Sequence, residues 1–522
     1  MQRLVLARLA PAASLPQIGR NFTGSTFGFD SSAVPADANG AVGPNHFVEL
    51  INCRYSVYDK SSGSRVQTMT DFAFWTNSGV ALSTNLAVTD PRIIFDTYSA
   101  RWFASMVDFT IGARRLRPNR FLLAVSENSD PTGTWHGVAF NADNAPNGNF
   151  ADFPTLGVDT NGVYLSGDMF NRFSSRVGAT LVSIPKGGLM ENPPSIAGRT
   201  SFGTLSLSTR GNILQPAMTT GAASTPESVL AAGDLGDDFL PHTTLVASTI
   251  QNAAVASGAT LSAAAVLNVA SYTAPMDPTQ PDGSENLDDG DARISACVRR
   301  VGDVLYAVHA TAVNNRAAIR WYKINAVTKT LIQSGTITDS NLDLFFPSIA
   351  ANDAGTVVVA CNGCSSTVFV SSYAVAGETV NGTLSFGDLF LLKSGAASYQ
   401  LLVDGITSRW GDYSATTVDP TDPNRFWTIQ MFPAGSATWA TQITELILGS
   451  PDSPQLNVGW AGTNIILSWP ITAIGFRLQR RLEFTPTAYW VTVTQAHVVN
   501  GDQFTVELPI ANSQAFFRLV YP

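Results

Sequence analysis

Aspartate and arginine recur together along this chain, often beside an aromatic ring. Asp90-Pro91-Arg92, Asp152-Phe153-Pro154, Asp291-Ala292-Arg293 and Arg409-Trp410-Gly411-Asp412-Tyr413 are the clearest cases. A guanidinium offers a planar fork of donors that matches a carboxylate, and an aromatic face packs against apolar ligand surface. Arg92, Asp152, Arg293, Arg409, Trp410, Asp412 and Tyr413 are therefore the candidate ligand-binding residues, with Phe153 and Phe346 beside them. Two chemistries follow. Paired across neighbouring elements, the Asp and Arg groups hold the fold closed, as buried pairs do when fully hydrogen-bonded. Left unpaired over an aromatic floor, they suit an acidic sugar or a peptide carboxylate.

Catalysis asks for more. A sialidase-type site needs three arginines on the substrate carboxylate, a tyrosine nucleophile paired with a glutamate and an aspartate as acid/base, spread over the blades. Arg409, Asp412 and Tyr413 are the right types but are crowded into one motif. An iron site of four histidines would need His46, His136, His242 and His309 all to face inward, and only His309 lies on a clear strand. Gly-x-Ser-x-Gly, His-Glu-x-x-His and a phosphate loop do not occur.

A second constellation is the acidic run from Asp277 to Asp291. Asp282, Glu285, Asp288, Asp289 and Asp291 together could offer oxygens to Ca²⁺, which takes roughly six to eight. Their spacing is not that of an EF-hand, and a solvated loop is the other reading. Calcium is the one cofactor suggested, and none is required. Cys361-Asn362-Gly363-Cys364 is a lone CxxC. Its Asn-Gly reads as a two-residue hairpin turn, with a local disulfide or free thiols flanking it. Cys53 and Cys297 read as core residues.

The elements that must position these groups repeat. Asp152-Phe153-Pro154 leads to Asn161-Gly162 and Val163-Tyr164-Leu165. Phe346-Pro347-Ser348 leads to Gly355 and Val357-Val358-Val359, and Asp90-Pro91 leads to Arg101-Trp102-Phe103. Arg409 to Ser414 leads, through a polar turn at Asp419 to Asn424, to Phe426-Trp427. Weaker copies start at Val42-Gly43-Pro44, Gln215-Pro216-Ala217 and Ala292-Arg293-Ile294. Strand units repeating at roughly 50 to 75 residues are the signature of propeller blades. The fold expected is all-β: a seven-bladed β-propeller followed by a small β-sandwich, with almost no helix. The first strand of each blade should line the channel, so the Asp and Arg groups should converge near one mouth. The first blade is expected to end on a strand toward Phe74-Trp75.

The expected divisions are residues 1–35 as a leader or ring-closing segment, 36–449 as the propeller and 455–522 as the sandwich. A linker is expected at Ser450-Pro451-Asp452-Ser453-Pro454. Met1 to Ala13 has only a short apolar stretch interrupted by Arg8, a faint signal peptide.

Composition narrows the partners. Only 14% of the 522 residues are charged, against an average of about 25%. Ser, Thr, Gly and Asn take their place, which suits an extracellular protein with many turns. The net charge of −9 disfavours nucleic acid and anionic membrane surfaces. No apolar run reaches the ~18 residues of a membrane span.

Residues 38–449 resemble a family of bacterial secreted β-propeller proteins of unassigned function. The likeness rests on Ala41-Val42-Gly43-Pro44, Val57-Tyr58-Asp59-Lys60, Asp90-Pro91, Arg101-Trp102, Asp130-Pro131-Thr132-Gly133, Asp152-Phe153-Pro154 and Arg409-Trp410-Gly411-Asp412-Tyr413-Ser414. Ser129 to Trp135 also resembles the Asp-box of sialidase-type propellers, a structural turn, with altered spacing. Residues 455–522 are similar to carboxy-terminal β-sandwich modules of exported bacterial proteins through Leu467-Ser468-Trp469-Pro470, Leu478-Gln479-Arg480 and Phe516-Phe517-Arg518-Leu519. The resemblance implies a secreted or cell-surface location, and an accessory or attachment role for the last module. The function expected is a non-catalytic binding protein for a glycan or an extracellular protein. The competing class is a glycan-active enzyme, either a sialidase-like glycoside hydrolase or a polysaccharide lyase.

Arg409 and Asp412 separate the structural from the ligand role. If they tie neighbouring elements together, Arg409→Ala leaves a buried carboxylate unpaired and should cost about 3 to 5 kcal/mol. Thermal melts of Arg409→Ala and Asp412→Asn decide it. A clear fall marks a structural pair, and an unchanged melt with lost binding marks a ligand site.

Overall fold

The computed structural model describes residues 16–143, 148–221, 226–233, 240–403, 407–448, 454–471, 473, 476–483, 489–509 and 514–520. The leader Met1 to Ala13 and most of the proposed linker lie outside the described residues. The chain forms two compact units, Met1–Leu448 and Gly449–Pro522.

The first unit is built from antiparallel sheets that follow one another along the chain. The first contains Asn39–Val42, His46–Ile51, Arg54–Asp59 and Arg65–Met69, and the second Leu86–Asp96, Arg101–Thr110, Arg120–Ser126 and Trp135–Asn141. The third contains Phe150–Val158, Gly162–Phe170, Arg176–Pro185 and Thr200–Leu205. Asn212–Pro216, Glu227–Ala232 and His242–Gln251 lead the fourth, and Arg299–Val301, Val304–Val313, Arg316–Asn325 and Thr330–Ile337 form the fifth. The sixth runs from Asp343–Ala351 through Thr356–Ser365 and Val368–Val380 to Thr383–Phe386. The seventh has Ala415–Asp419, Asp422–Gly435 and Thr438–Ile447.

The first strands of these sheets neighbour one another around a ring, the seventh returning to the first, with Met218–Thr220 rather than Asn212–Pro216 standing beside the first strand of the fifth. Met218–Thr220 bridges the third and fifth sheets by parallel pairing to Val158 and to Arg299–Val301. This is the arrangement of a β-propeller. Burial grades along each sheet. Gly162–Phe170, covered on both faces, is buried almost throughout, whereas the outer strand Arg65–Met69 alternates half-buried and exposed.

The ring is closed by the first and last strands of the first unit. Gln17–Thr26 pairs antiparallel with Thr438–Ile447 and becomes the outermost strand of the seventh sheet. The buried Glu49 carboxylate fastens this junction. It accepts from the Ser25 amide and hydroxyl, from Tyr58 Oη at 2.9 Å and from Thr441 Oγ1. Lys60 Nζ adds an ion pair to Asp419 at 3.0 Å, joining the first sheet to the seventh.

Four sequence expectations are corrected. The stretch toward Phe74-Trp75 is a helix, Asp71–Asn77, not a strand. Thr70 caps it by accepting from the Ala73 amide, and the helix buries Phe74 against Tyr55 at 4.4 Å between ring centroids. Cys361 to Cys364 form no turn but lie inside the central strand Thr356–Ser365, bonded on both sides. Residues three apart on a strand face opposite ways, so Cys361 and Cys364 enter different core clusters, and all four cysteines are free. The first-sheet counterpart of the repeat is not Val42-Gly43-Pro44, which ends a strand, but Asp37, two residues before Asn39. Ala292 to Ile294 begin no strand, and the inner strand of the fifth sheet starts at Arg299. The Asp130 turn is structural: Tyr55 Oη and Trp135 Nε1 both donate to the Pro131 carbonyl, tying the first sheet to the second.

The second unit has a four-stranded sheet, Asn457–Ala461, Asn464–Pro470, Gln503–Pro509 and Val498–Asn500, and a three-stranded sheet, Val491–Thr492, Arg477–Arg481 and Phe516–Val520. Leu467, Trp469, Leu478, Val506 and Leu508 from both sheets make its core.

Glu49→Ala would strand the Ser25, Tyr58 and Thr441 donors inside the ring closure. A loss on the order of 3 to 5 kcal/mol is expected, read as a lowered denaturant midpoint.

Candidate functional site

The site is set up by kinks in the inner strands. Asp90, Phe153, Ile213 and Phe346 all have positive φ, 62°, 51°, 54° and 44°, uncommon for residues with side chains. Each sits at a register shift, between Thr89 and Arg92, Asp152 and Thr155, Asn212 and Gln215, and Phe345 and Ser348. These are β-bulges, which re-aim side chains. Asp37, φ 52°, takes the same conformation just ahead of the first sheet.

Below the bulge, polar side chains turn inward and cross to the next sheet. Arg92 donates to the carbonyls of Pro154 at 2.8 Å and Ser295 at 3.0 Å. Thr155 donates to Leu214, Gln215 to Ile294, and Ser414 to Phe346, while Asn39 accepts from the Ile93 amide. Arg92 thus serves the channel rather than the mouth.

Above the bulge lies the mouth. One cavity of about 370 Å³ is lined by Asp152, Asp168, Asp288, Asp289, Asp291 and Asp412 with Arg176, Arg293 and Arg409, and by the rings of Phe153, Phe170 and Phe346. A wider cavity of about 700 Å³ shares Asp152, Arg409 and Asp412, and adds Asp37, Asp90 and the loop from Gly112 to Arg117. Four of the seven sequence candidates therefore reach the mouth: Asp152, Arg293, Arg409 and Asp412. The chain leaves its strand after Arg409 and re-enters one at Ala415, which lets both Arg409 and Asp412 face the cavity.

Trp410 and Tyr413 are corrected as ligand contacts, because both are buried. Trp410 packs edge-on to Tyr399 in the core and donates to Asn362 Oδ1 at 3.0 Å. Tyr413 lies beneath the Arg92 guanidinium, 3.6 Å from its ring centroid, and edge-on to Phe153. The acidic run divides as well. Asp288, Asp289 and Asp291 line the cavity, whereas Asp282 and Glu285 are exposed outside it. Among the described residues, no group of three or more His, Cys, Asp or Glu side chains is placed to hold a metal ion. Sequence reading missed Asp37, Asp168 and Arg176. Asp168 was findable, since it pairs across the hairpin with Asp152.

The arginines of the floor are spoken for. Arg409 bridges Asp288 at 3.3 Å and Asp412 at 2.5 Å, Arg176 holds Asp168 at 2.7 Å, and Arg293 Nε meets both Asp291 oxygens at 2.6 and 2.7 Å. Six aspartates face three arginines in the smaller cavity, so acid is in excess. Burial, then the neighbouring Asp152 and Asp412, push the Asp90 carboxyl up to about 7. Asp37 rises well above the carboxylate range through burial and then Asp412 and Asp90, and Asp152 is raised by burial and Asp412. Burial lifts Asp168 to about 6. Burial and then Asp277 and Asp288 raise Asp289, whose two buried oxygens have no hydrogen-bond partner. Burial would also raise Asp291, but Arg293 overrides it and holds that carboxyl low. The carboxyl groups of the mouth are therefore pushed apart, most upward by burial and Asp291 downward by Arg293.

No family model and no curated protein matches this chain. Solved structures with a related course include the Dos1 propeller, at TM-score 0.38 and 9% identity, covering 84% of this chain and 96% of that one. An exo-β-1,3-galactanase from Clostridium thermocellum matches at TM-score 0.30 and 10% identity, covering 82% of this chain and 100% of that one. Cobalt-substituted Synechocystis ACO matches at TM-score 0.37 and 12% identity, covering 68% and 71%. At these values nothing about the mouth is carried over from any of them.

The raised Asp90 carboxyl gives the fold a pH dependence. Asp90 titrates near 7 when folded and near 3.9 when unfolded, so between these values the folded state holds more protons. Its contribution is fully present below about pH 4 and is lost as pH rises through about 7. Melting temperature measured across that window should fall more steeply in the wild type than in Asp90→Asn.

Proposed function

We propose that the first unit is a seven-bladed β-propeller, that the second is a small β-sandwich, and that the protein binds a carbohydrate at the acidic mouth of the propeller channel. The setting proposed is extracellular or at a cell surface, with an extracellular protein as the other class of partner. What carries the reading is the excess of carboxyl groups beside phenylalanine rings in one cavity. Carboxylates accept hydrogen bonds from sugar hydroxyls, and ring faces pack against the apolar side of a pyranose. The floor arginines are already paired to aspartates, which argues against an acidic group being held there. Calcium is not part of this proposal.

Glycan cleavage is the second reading, favoured by one observation. Asp168, raised to about 6, shares its cavity with Asp291, which Arg293 holds ionised. Two carboxyl groups in one cavity with their pKa values pushed apart are what glycoside hydrolysis uses.

Titration of neutral and acidic oligosaccharides into wild type and Asp152→Asn tests the binding reading. Weakening of about tenfold or more in the variant, with its melting temperature retained, is expected. Failure of the wild type to bind any glycan would falsify it. Release of shorter sugars by the wild type, abolished in Asp168→Asn, would move the protein to the enzyme class.

A further inference from the structure

The rim of the mouth carries the opposite charge from its floor. The loop between Arg101–Thr110 and Arg120–Ser126 reads Ile111-Gly112-Ala113-Arg114-Arg115-Leu116-Arg117-Pro118-Asn119. Arg114, Arg115 and Arg117 are exposed and line the wider cavity together with Asp152 and Asp412. None of the three has a carboxylate partner among the described residues. The loop is nonetheless held in place. Buried Asn119 at its base exchanges hydrogen bonds with both the amide and the carbonyl of Ala151, at 2.8 Å each, and the Ile111 amide donates to Asn85. Arg115 is further ordered by Phe173 of the adjacent hairpin, which it shares with Arg172, at 5.1 and 4.7 Å from the ring centroid.

Three like charges within four residues repel one another, and this chain has a net charge of −9. The other arginines that line the two cavities, Arg176, Arg293 and Arg409, are each paired to an aspartate. Here a propped loop presents three without one, beside a cavity whose floor is acidic.

We propose that the ligand of this mouth is a polysaccharide bearing carboxylate or sulfate groups, held by the Arg114, Arg115 and Arg117 rim while its hydroxyls reach the aspartates of the floor. This rests on the carbohydrate reading above and sharpens it. A guanidinium pairs in bidentate fashion with either anion. The division of charge gives orientation: an acidic group is repelled from the floor and drawn to the rim, while the neutral face of the sugar meets Asp152 and Asp412. A neutral glycan would use the floor alone.

Polygalacturonate and its fully methyl-esterified form share a backbone and differ in charge, so they serve as probes. Affinity electrophoresis and calorimetry with the full chain are expected to show the anionic polymer bound at least about tenfold more tightly than the ester. That preference should shrink as salt rises. The triple variant Arg114→Gln, Arg115→Gln, Arg117→Gln should lose the preference while keeping its melting temperature and its binding of the ester. Arg172→Gln, at the loop's edge, gives a smaller loss and guards against a misfolded triple variant. Equal binding of both polymers, or a triple variant that still prefers the anionic one, overturns the proposal and leaves the carbohydrate reading standing. Binding of neither polymer alongside retained binding of other neutral glycans overturns it equally. Absence of any glycan binding removes both, and uptake of acidic peptides or anionic vesicles instead assigns the rim to a different partner.

Discussion

Kinked inner strands leave backbone carbonyls facing the axis, and the ring stands on the side chains that cross over to them. A bulge breaks the strand ladder, and a proline beside it removes a donor. Buried carbonyls without partners are costly, and the kinks at Phe153, Ile213 and Phe346 each receive a donor from outside their own sheet. Arg92 supplies one to Pro154, Thr155 to Leu214, Gln215 to Ile294 and Ser414 to Phe346. The bonds from Arg92 and Thr155 join consecutive sheets, that from Ser414 reaches the sixth sheet from just ahead of the seventh, and that from Gln215 reaches the segment leading to the fifth. The device that bends a strand thus also fastens it to its neighbour, which explains why the repeat carries a polar residue just after the kink.

The same kink decides what the mouth contains. Asp90, Asp152 and Phe153 sit at or just before the bulge and are re-aimed away from the ladder, while the residues just after it turn into the channel. Repeating that geometry around a ring gathers carboxyl groups from sheets far apart in sequence. Crowding and burial then work together to raise the pKa of several of them, because a like charge nearby and the loss of water both disfavour ionisation. Ion pairs relieve the rest locally, Arg293 with Asp291 and Arg409 with Asp288 and Asp412. Arg114, Arg115 and Arg117, which have no carboxylate partner among the described residues, stand out against that acidic background.

Much of the architecture was legible in the chain. Strands of alternating or continuous apolar residues punctuated by Asn-Gly and Asp-Pro turns do not need distant partners to declare themselves. The misreadings have local causes. Asn362-Gly363 has the composition of a hairpin turn, yet strands on both sides keep it extended, since pairing on two edges outweighs turn propensity. Phe74-Trp75 looks strand-like by composition, yet the Thr70 cap and the burial of both rings make a helix.

By itself, the sequence determined that the chain is all-β, that its units repeat, and that Asp152, Arg293, Arg409 and Asp412 come together around one cavity. These follow from periodicity and from the recurrence of a motif, which are properties of residues close together along the chain. Only the tertiary structure decided that Trp410 and Tyr413 are buried, that Arg92 donates to the carbonyls of Pro154 and Ser295, and that Asp37 joins the mouth. It also placed the arginine loop beside the acidic floor. These depend on which side of a kinked strand a residue emerges and on what stands across the channel. A one-residue bulge reverses the facing of everything beyond it, and no local pattern records that reversal.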